Sequence, residues 1–320
     1  MRKAFAIAAA LALLGLGGMA RAAITIDTVA VGDKGNTADT LTGYGSVGYN
    51  YNIGKYEVTA GQYTAFLNAV AATDTYGLYS GNMFSTPWGC RIEQTGSPGS
   101  YSYSVASVYA NRPVNYVSYW DSCRFANWLC NGQPTGLQDA STTERGAYTL
   151  NGYNGNLGGN IRRNAGATWA VTSEDEWYKA AYYKGGGLYS LYANGTNTAP
   201  VAGADANYNW AIGSTWDGTI NGALEQNGTK DMMGNVWEWN EAVIDQDTHY
   251  APRGLRGGSF MYDSDKLLSS TPGDYHYYDL PYNKDSTEGF RVVQAVPEPS
   301  SVIALLGGLV SLIGLRRRKA

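Results

Sequence analysis

Histidine is almost missing from this 320-residue chain, which has two, His249 and His276. That supply excludes a histidine-rich metal centre and counts against a Ser-His-Asp triad. Charge is scarce too: 16% of residues are charged, against about a quarter in an average globular domain. Sustained helical periodicity is lacking, which excludes a helical bundle. Cysteine is confined to Cys90, Cys123 and Cys130. What is plentiful is Gly (41), Tyr (26) and Trp (9). So many aromatics exclude a disordered chain. Composition therefore predicts a loop-rich α+β or β fold that buries aromatics. The length fits two domains or one large one.

Both ends carry segments that are not fold. Residues 1–22 run from Arg2 and Lys3 through an apolar stretch to Ala20-Arg21-Ala22, the order of a cleavable secretory signal peptide. At the other end, Pro297-Glu298-Pro299 precedes an apolar run of 14 residues, Val302 to Leu315, closed by Arg316, Arg317, Arg318 and Lys319. The run is shorter than the ~20 residues that span a bilayer comfortably. Removing both ends takes away seven positive charges and one negative, so the net charge of −4 becomes −10. So acidic a chain argues against nucleic acid and anionic membrane as partners and favours Ca²⁺ or cationic and neutral ligands.

Three cysteines in an exported chain leave at least one thiol unpaired. Cys123 and Cys130 share a predicted helix and lie about 10 Å apart along its axis, too far for a disulfide. Any disulfide must join Cys90 to one of them. Small buried hydrophobes are the preferred reading of all three.

Between the ends, Tyr44 to Glu57 alternates as a strand does, with Tyr49, Tyr51 and Ile53 on one side. Three helices are announced by capping boxes: Thr59 with Gln62, Ser118 with Asp121, and Ser173 with Glu176. Tyr63, Phe66, Leu67 and Val70 form the first apolar face; Trp120, Cys123, Ala126, Leu129 and Cys130 can form the second. Asn131-Gly132 ends the second helix, and Gly185-Gly186-Gly187 ends the third after Lys184. Residues 74–112 and 132–168 read as loops with short strands. Three amphipathic helices in this setting predict α+β.

Five stretches then occur in a telling order. They are Lys55-Tyr56-Glu57-Val58-Thr59; Arg112-Pro113-Val114-Asn115-Tyr116-Val117-Ser118 with Trp128-Leu129; Ser173-Glu174-Asp175-Glu176-Trp177; Gly234-Asn235-Val236-Trp237-Glu238-Trp239; and Arg256-Gly257-Gly258-Ser259-Phe260 with Gly289-Phe290-Arg291. Over about residues 44–293 the chain resembles the formylglycine-generating enzyme (sulfatase-modifying factor) domain. The resemblance implies one compact domain, residues 24–296, distantly related to C-type lectins. The tail, 297–320, resembles a PEP-CTERM sorting signal. That implies an exosortase as processing partner, Gram-negative export, and a cell-surface or biofilm-matrix location, with membrane contact only through the tail.

The family resemblance also implies sites. A Ca²⁺ loop would use Asp231 and Glu238 with the carbonyls of Gly234 and Val236, which suits a hard cation that takes six to eight oxygens. A second site would use Asn207-Tyr208 and Asp217. The family's catalytic copper sits on two cysteines, and the matching positions are Tyr262 and Leu267. Neither supplies the soft thiolate that selects Cu(I), so no copper is expected. Related three-His iron sites are excluded by the histidine count. The implied outcome is a non-catalytic binding module, with a relocated metal oxidase or a structural matrix protein as alternatives.

Residues 262–288 are dense in Tyr, Asp, Ser and Asn, a mixture suited to recognition. A glycan- or peptide-binding face is expected from Tyr262, Tyr275, Tyr277, Tyr278 and Tyr282, with Trp237 and Ser259 nearby. Arg256 and Arg291 are expected to be structural, each paired with an acid such as Glu238.

Overall fold

The computed structural model describes residues 23–270 and 278–296. The expected signal peptide and sorting tail lie outside the described residues, as do Tyr275, His276 and Tyr277. Among the described residues, no helix is long and apolar enough to cross a membrane.

The capping boxes start the helices where the sequence places them. Helix α1 (Ala60–Val70) begins with Thr59 accepting from the Gln62 amide while Gln62 accepts from Thr59. A four-residue helix, α2 (Asn82–Ser85), lies in a stretch that reads as loop. Helix α3 (Tyr119–Cys130) starts at the Ser118–Asp121 box and stops at Asn131. Helix α4 (Glu174–Tyr182) starts at the Ser173–Glu176 box. It ends two residues before Lys184, because Tyr183 turns extended. Lys184 then enters the hairpin of β6 (Tyr183–Gly185) and β7 (Leu188–Tyr189), so the glycines turn a hairpin rather than cap the helix.

The predicted strand shrinks to β2 (Tyr51–Gly54). It pairs with β1 (Thr28–Val31) and with β12 (Val292–Ala295), which in turn pairs with β5 (Trp169–Val171), all antiparallel. A small hairpin, β3 (Ile92–Thr95) and β4 (Ser102–Val105), covers α1. The second four-stranded sheet runs β10 (Tyr278–Asp279), β9 (Arg253–Arg256), β8 (Trp237–Val243) and β11 (Glu288–Phe290). Within it, β8 and β11 are parallel and the other pairs antiparallel. This is a mixed α/β fold of short elements.

The core is aromatic, as the composition demands. Phe125 of α3 packs edge-on against Phe66 of α1 at 5.3 Å and Phe290 of β11 at 5.4 Å. Each such pair adds about 0.5–1.5 kcal/mol beyond area burial. All three cysteines are free, so the pairing through Cys90 is not formed. Burial raises the Cys90 thiol to about 11 and the Cys123 thiol to about 12. Both stay protonated and behave as small hydrophobes.

Candidate functional site

The loop before β8 is held by close backbone approach. Gly234 sits at φ 82° and bridges to Asn207. A Cβ there would run into the Asn207 carbonyl. Beyond the loop, Glu238 is fully buried and ion-paired to Arg291, whose Nε and Nη2 donate at 2.8 and 2.6 Å. Trp177 Nε1 adds a third donor at 2.7 Å. Arg291 also donates to the carbonyls of Gly54, Lys55 and Lys230. The structural reading of Arg291 thus holds, with Glu238 as partner. Arg256 pairs instead with Glu174, Nε to Oε1 at 2.7 Å.

A group of buried acids surrounds this pair. Glu57, far away in sequence, accepts from Asn235 Nδ2 at 2.9 Å and the Val236 amide at 3.3 Å. Burial, then Asp231 and Glu238, raises its carboxyl well above the ordinary range. Burial brings Glu225 to about 7, and Asp231 likewise. Asp231 Oδ1 accepts from Trp216 Nε1 at 2.9 Å, while Oδ2 is buried without a partner. Asn207 Oδ1 is a second buried oxygen without a partner.

An orphaned carboxylate oxygen such as Asp231 Oδ2 is what a hard cation would satisfy. The fit is partial. Glu238 already faces a guanidinium, and among the described residues no three His, Cys, Asp or Glu side chains gather at metal-binding spacing. Asp217 is not brought to Asn207 by any hydrogen bond; it accepts from Thr219 and from Asn111 Nδ2.

The positions of the family's two thiols part ways. Leu267 is fully buried. Its Cδ2 lies 2.7 Å from where a Cβ on Gly258 would be, and Tyr182 Oη donates to its carbonyl at 3.0 Å. Tyr262 is exposed, with its ring 5.6 Å from that of Trp237. Ser259 is buried beneath, accepting from the Tyr262 amide through its carbonyl. The structure thus joins Trp237, Ser259 and Tyr262. Tyr278 and Tyr282 are exposed, but Tyr278 sits on edge strand β10, with β9 between it and β8. Tyr278 is thereby set apart from the strand that carries Trp237.

Two tryptophans that sequence reading passed over extend the surface. Asn209 and Trp210 both have left-handed φ, 55° and 56°. A bulky residue there is strained, and such strain clusters at functional sites. Their amides donate to the carbonyls of Tyr262 and Phe260, at 2.6 and 2.7 Å, which holds the conformation. The Trp210 ring stands edge-on to Phe260 at 5.5 Å and to Trp88 at 6.2 Å, yet both tryptophans are exposed. Asn115, fully buried, ties the Trp88 carbonyl to that of Ser286. The available signal was a Trp directly after Asn207-Tyr208-Asn209, and another between Pro87 and Gly89.

A profile of the sulfatase-modifying factor enzyme 1-like domain matches residues 44–296. The chain belongs to that family. Among solved structures, this sulfatase-modifying-factor-like chain is similar to CarF, with 22% identity and TM-score 0.54, over 85% of this chain and 99% of that one. It is also similar to Treponema denticola variable protein 1, with 19% identity and TM-score 0.54, over 83% and 94% of the two chains. PvdO from Pseudomonas aeruginosa matches with 18% identity and TM-score 0.47, over 85% and 92%. No curated protein sequence matches.

Proposed function

We propose that this family member is an exported, non-catalytic ligand-binding module that takes a glycan or a peptide on the surface of Trp88, Trp210 and Tyr262, with Trp237 buried behind Tyr262. One observation carries the reading. Where the family places two thiols, the chain has an exposed tyrosine and a fully buried leucine. The remaining thiols argue against a relocated oxidase. Cys90 and Cys123 are buried with raised pKa, and Cys130 Sγ donates to the Trp169 carbonyl.

A structural Ca²⁺ would be held by Asp231 with the carbonyls of Gly234 and Val236, with Glu238 behind them. It would supply positive charge to the unpartnered Asp231 Oδ2 and no redox chemistry. A C-type-lectin-like ancestry, exosortase processing of the tail and a surface or matrix location belong to the same proposal.

The test has two parts. Purified protein offered a Cys-x-Pro-x-Arg peptide with copper and O₂ should form no formylglycine; detectable product removes the non-catalytic reading. Elemental analysis after exchange into metal-free buffer should find calcium and no copper.

A further inference from the structure

Arg91 closes the loop that carries Trp88. Its backbone is left-handed, with φ 66°, and its amide donates to the Met83 carbonyl at 2.7 Å. The guanidinium folds back over the same loop. Nη1 donates to the Phe84 carbonyl at 3.0 Å and Nη2 to the Pro87 carbonyl at 3.4 Å. Gly89 keeps the turn tight, since a Cβ there would meet the Asn82 and Met83 carbonyls. The centroid of the Tyr109 ring lies 5.9 Å from the Arg91 guanidinium and 4.7 Å from that of Arg112. Arg112 Nη1 donates to the Thr215 carbonyl at 2.7 Å, in the loop that follows Trp210, and Arg112 Nε is buried without a partner. One guanidinium is thus tied to the Trp88 loop and one to the Trp210 loop, and the two indoles meet at 6.2 Å.

Among the described residues neither arginine makes an ion pair. Glu93 stands two residues from Arg91 without pairing with it, and Asp217 accepts from Asn111 and Thr219 instead. Carbonyls and a ring hold these cations in place but do not neutralise them. Arg91 spends one N–H on each carbonyl and keeps the rest of its fork open.

Resting on the ligand-binding reading above, we propose that the Trp88–Trp210 surface takes an acidic oligosaccharide whose rings carry carboxylates, a uronate chain, with Arg91 as its anchor. The open edge of the guanidinium is a planar fork that fits a carboxylate. The exposed rings of Trp88 and Trp210 suit the apolar face of a sugar ring. Peptides are commonly held on a free strand edge or in a groove, whereas both indoles lie on loops outside every described strand. Arg112 adds positive potential beside them. The acidic balance of the chain opposes such a ligand only at long range. The Debye length is about 8 Å at physiological salt, so the nearby cations decide.

The experiment is calorimetric titration of the full-length protein at neutral pH and physiological salt. The probes are tetragalacturonate and its fully methyl-esterified counterpart, which keeps the rings and masks every carboxylate. The acid form should bind about tenfold tighter or better, the effect of a charge-assisted bond. Arg91→Gln should reduce binding of the acid to the level of the ester, and unchanged binding of the ester then reports an intact surface. Arg91→Lys, which keeps the charge without the fork, should fall between the two. Equal affinity of the wild type for both tetramers, or a preference that survives Arg91→Gln, overturns the Arg91 anchor and leaves the ligand-binding reading standing. Loss of the ester as well in Arg91→Gln makes Arg91 a tie within its loop and overturns the anchor too. Tighter binding of tetraglutamate than of tetragalacturonate overturns the sugar assignment. Failure of all three probes to bind removes the anchor and the ligand-binding reading together.

Discussion

Tyr262 meets Trp237 edge to face, with ring centroids 5.6 Å apart and planes at 63°. Five residues on, Leu267 is sealed in the core against Gly258. The two positions therefore answer differently to truncation. Leu267→Ala should destabilise the fold by about 2–5 kcal/mol, since it leaves a cavity that the glycine backbone cannot collapse to fill. Tyr262→Ala should change stability by about 1 kcal/mol or less. Urea denaturation of the two variants measures the contrast. Similar losses would mean that Tyr262 is a packing residue and not part of a binding surface.

The Arg291–Glu238 pair should be costly to break and cheap to replace. Arg291→Met strands a fully buried carboxylate and removes donors from three backbone carbonyls. A loss of about 3–5 kcal/mol follows for the single variant. Glu238→Leu strands the guanidinium in the same way. The double variant should be less destabilised than the sum of the two singles, because neither charge is then left alone. A denaturation cycle over the four proteins decides this; strict additivity would mean that the two groups are not coupled.

Local signals and long-range assembly differed sharply in how readable they were. The boxes at Thr59, Ser118 and Ser173 lie within four consecutive residues each, and all three formed. The ordered motifs likewise identified the family, because each is contiguous. The end of α4 was misread because Gly185–Gly187 suit a helix stop and a hairpin turn equally well, and the pairing of Tyr183 with Tyr189 decided it. The acid group was invisible for another reason. Glu57, Glu225 and Asp231 meet only through the fold, and nothing local distinguishes them from solvated acids. Trp88 and Trp210 were invisible because burial is the default for tryptophan, and only the folded arrangement leaves both exposed.

The same acids set the pH dependence. Burial raises Glu225 from an ordinary 4.5 to about 7. The unfolded chain releases this proton near 4.5, whereas the folded chain keeps it until about 7. The contribution to stability is therefore fully present below about pH 4.5 and is lost as pH rises to about 7. Glu57 is raised in the same sense. Glu176, lowered by Arg163 despite its burial, works the other way, but only below its ordinary range. In chelator, the urea midpoint should thus be higher at pH 5 than at pH 7.5, and Glu225→Gln should reduce the difference. A midpoint that rises across this interval would contradict the assignment.

Trp210 offers a test in which stability and function separate. Its left-handed backbone is held by the amide of residue 210 on the Phe260 carbonyl, an interaction that survives any side-chain change. Trp210→Gly removes the Cβ that makes this conformation unfavourable, a gain of about 1–2 kcal/mol. It also removes the edge-on contacts with Phe260 and Trp88, a loss of about 0.5–1.5 kcal/mol for each pair. The two effects nearly offset, so the melting temperature should move by only a few degrees in either direction. Ligand affinity has no such compensation. An exposed ring that stacks on a sugar or an apolar group contributes about 1–2 kcal/mol or more as an interface anchor. Calorimetric binding to an oligosaccharide panel should therefore weaken about tenfold or more in a variant that melts like the wild type. Unchanged affinity with a large drop in melting temperature would make Trp210 a structural residue and move the binding surface away from it.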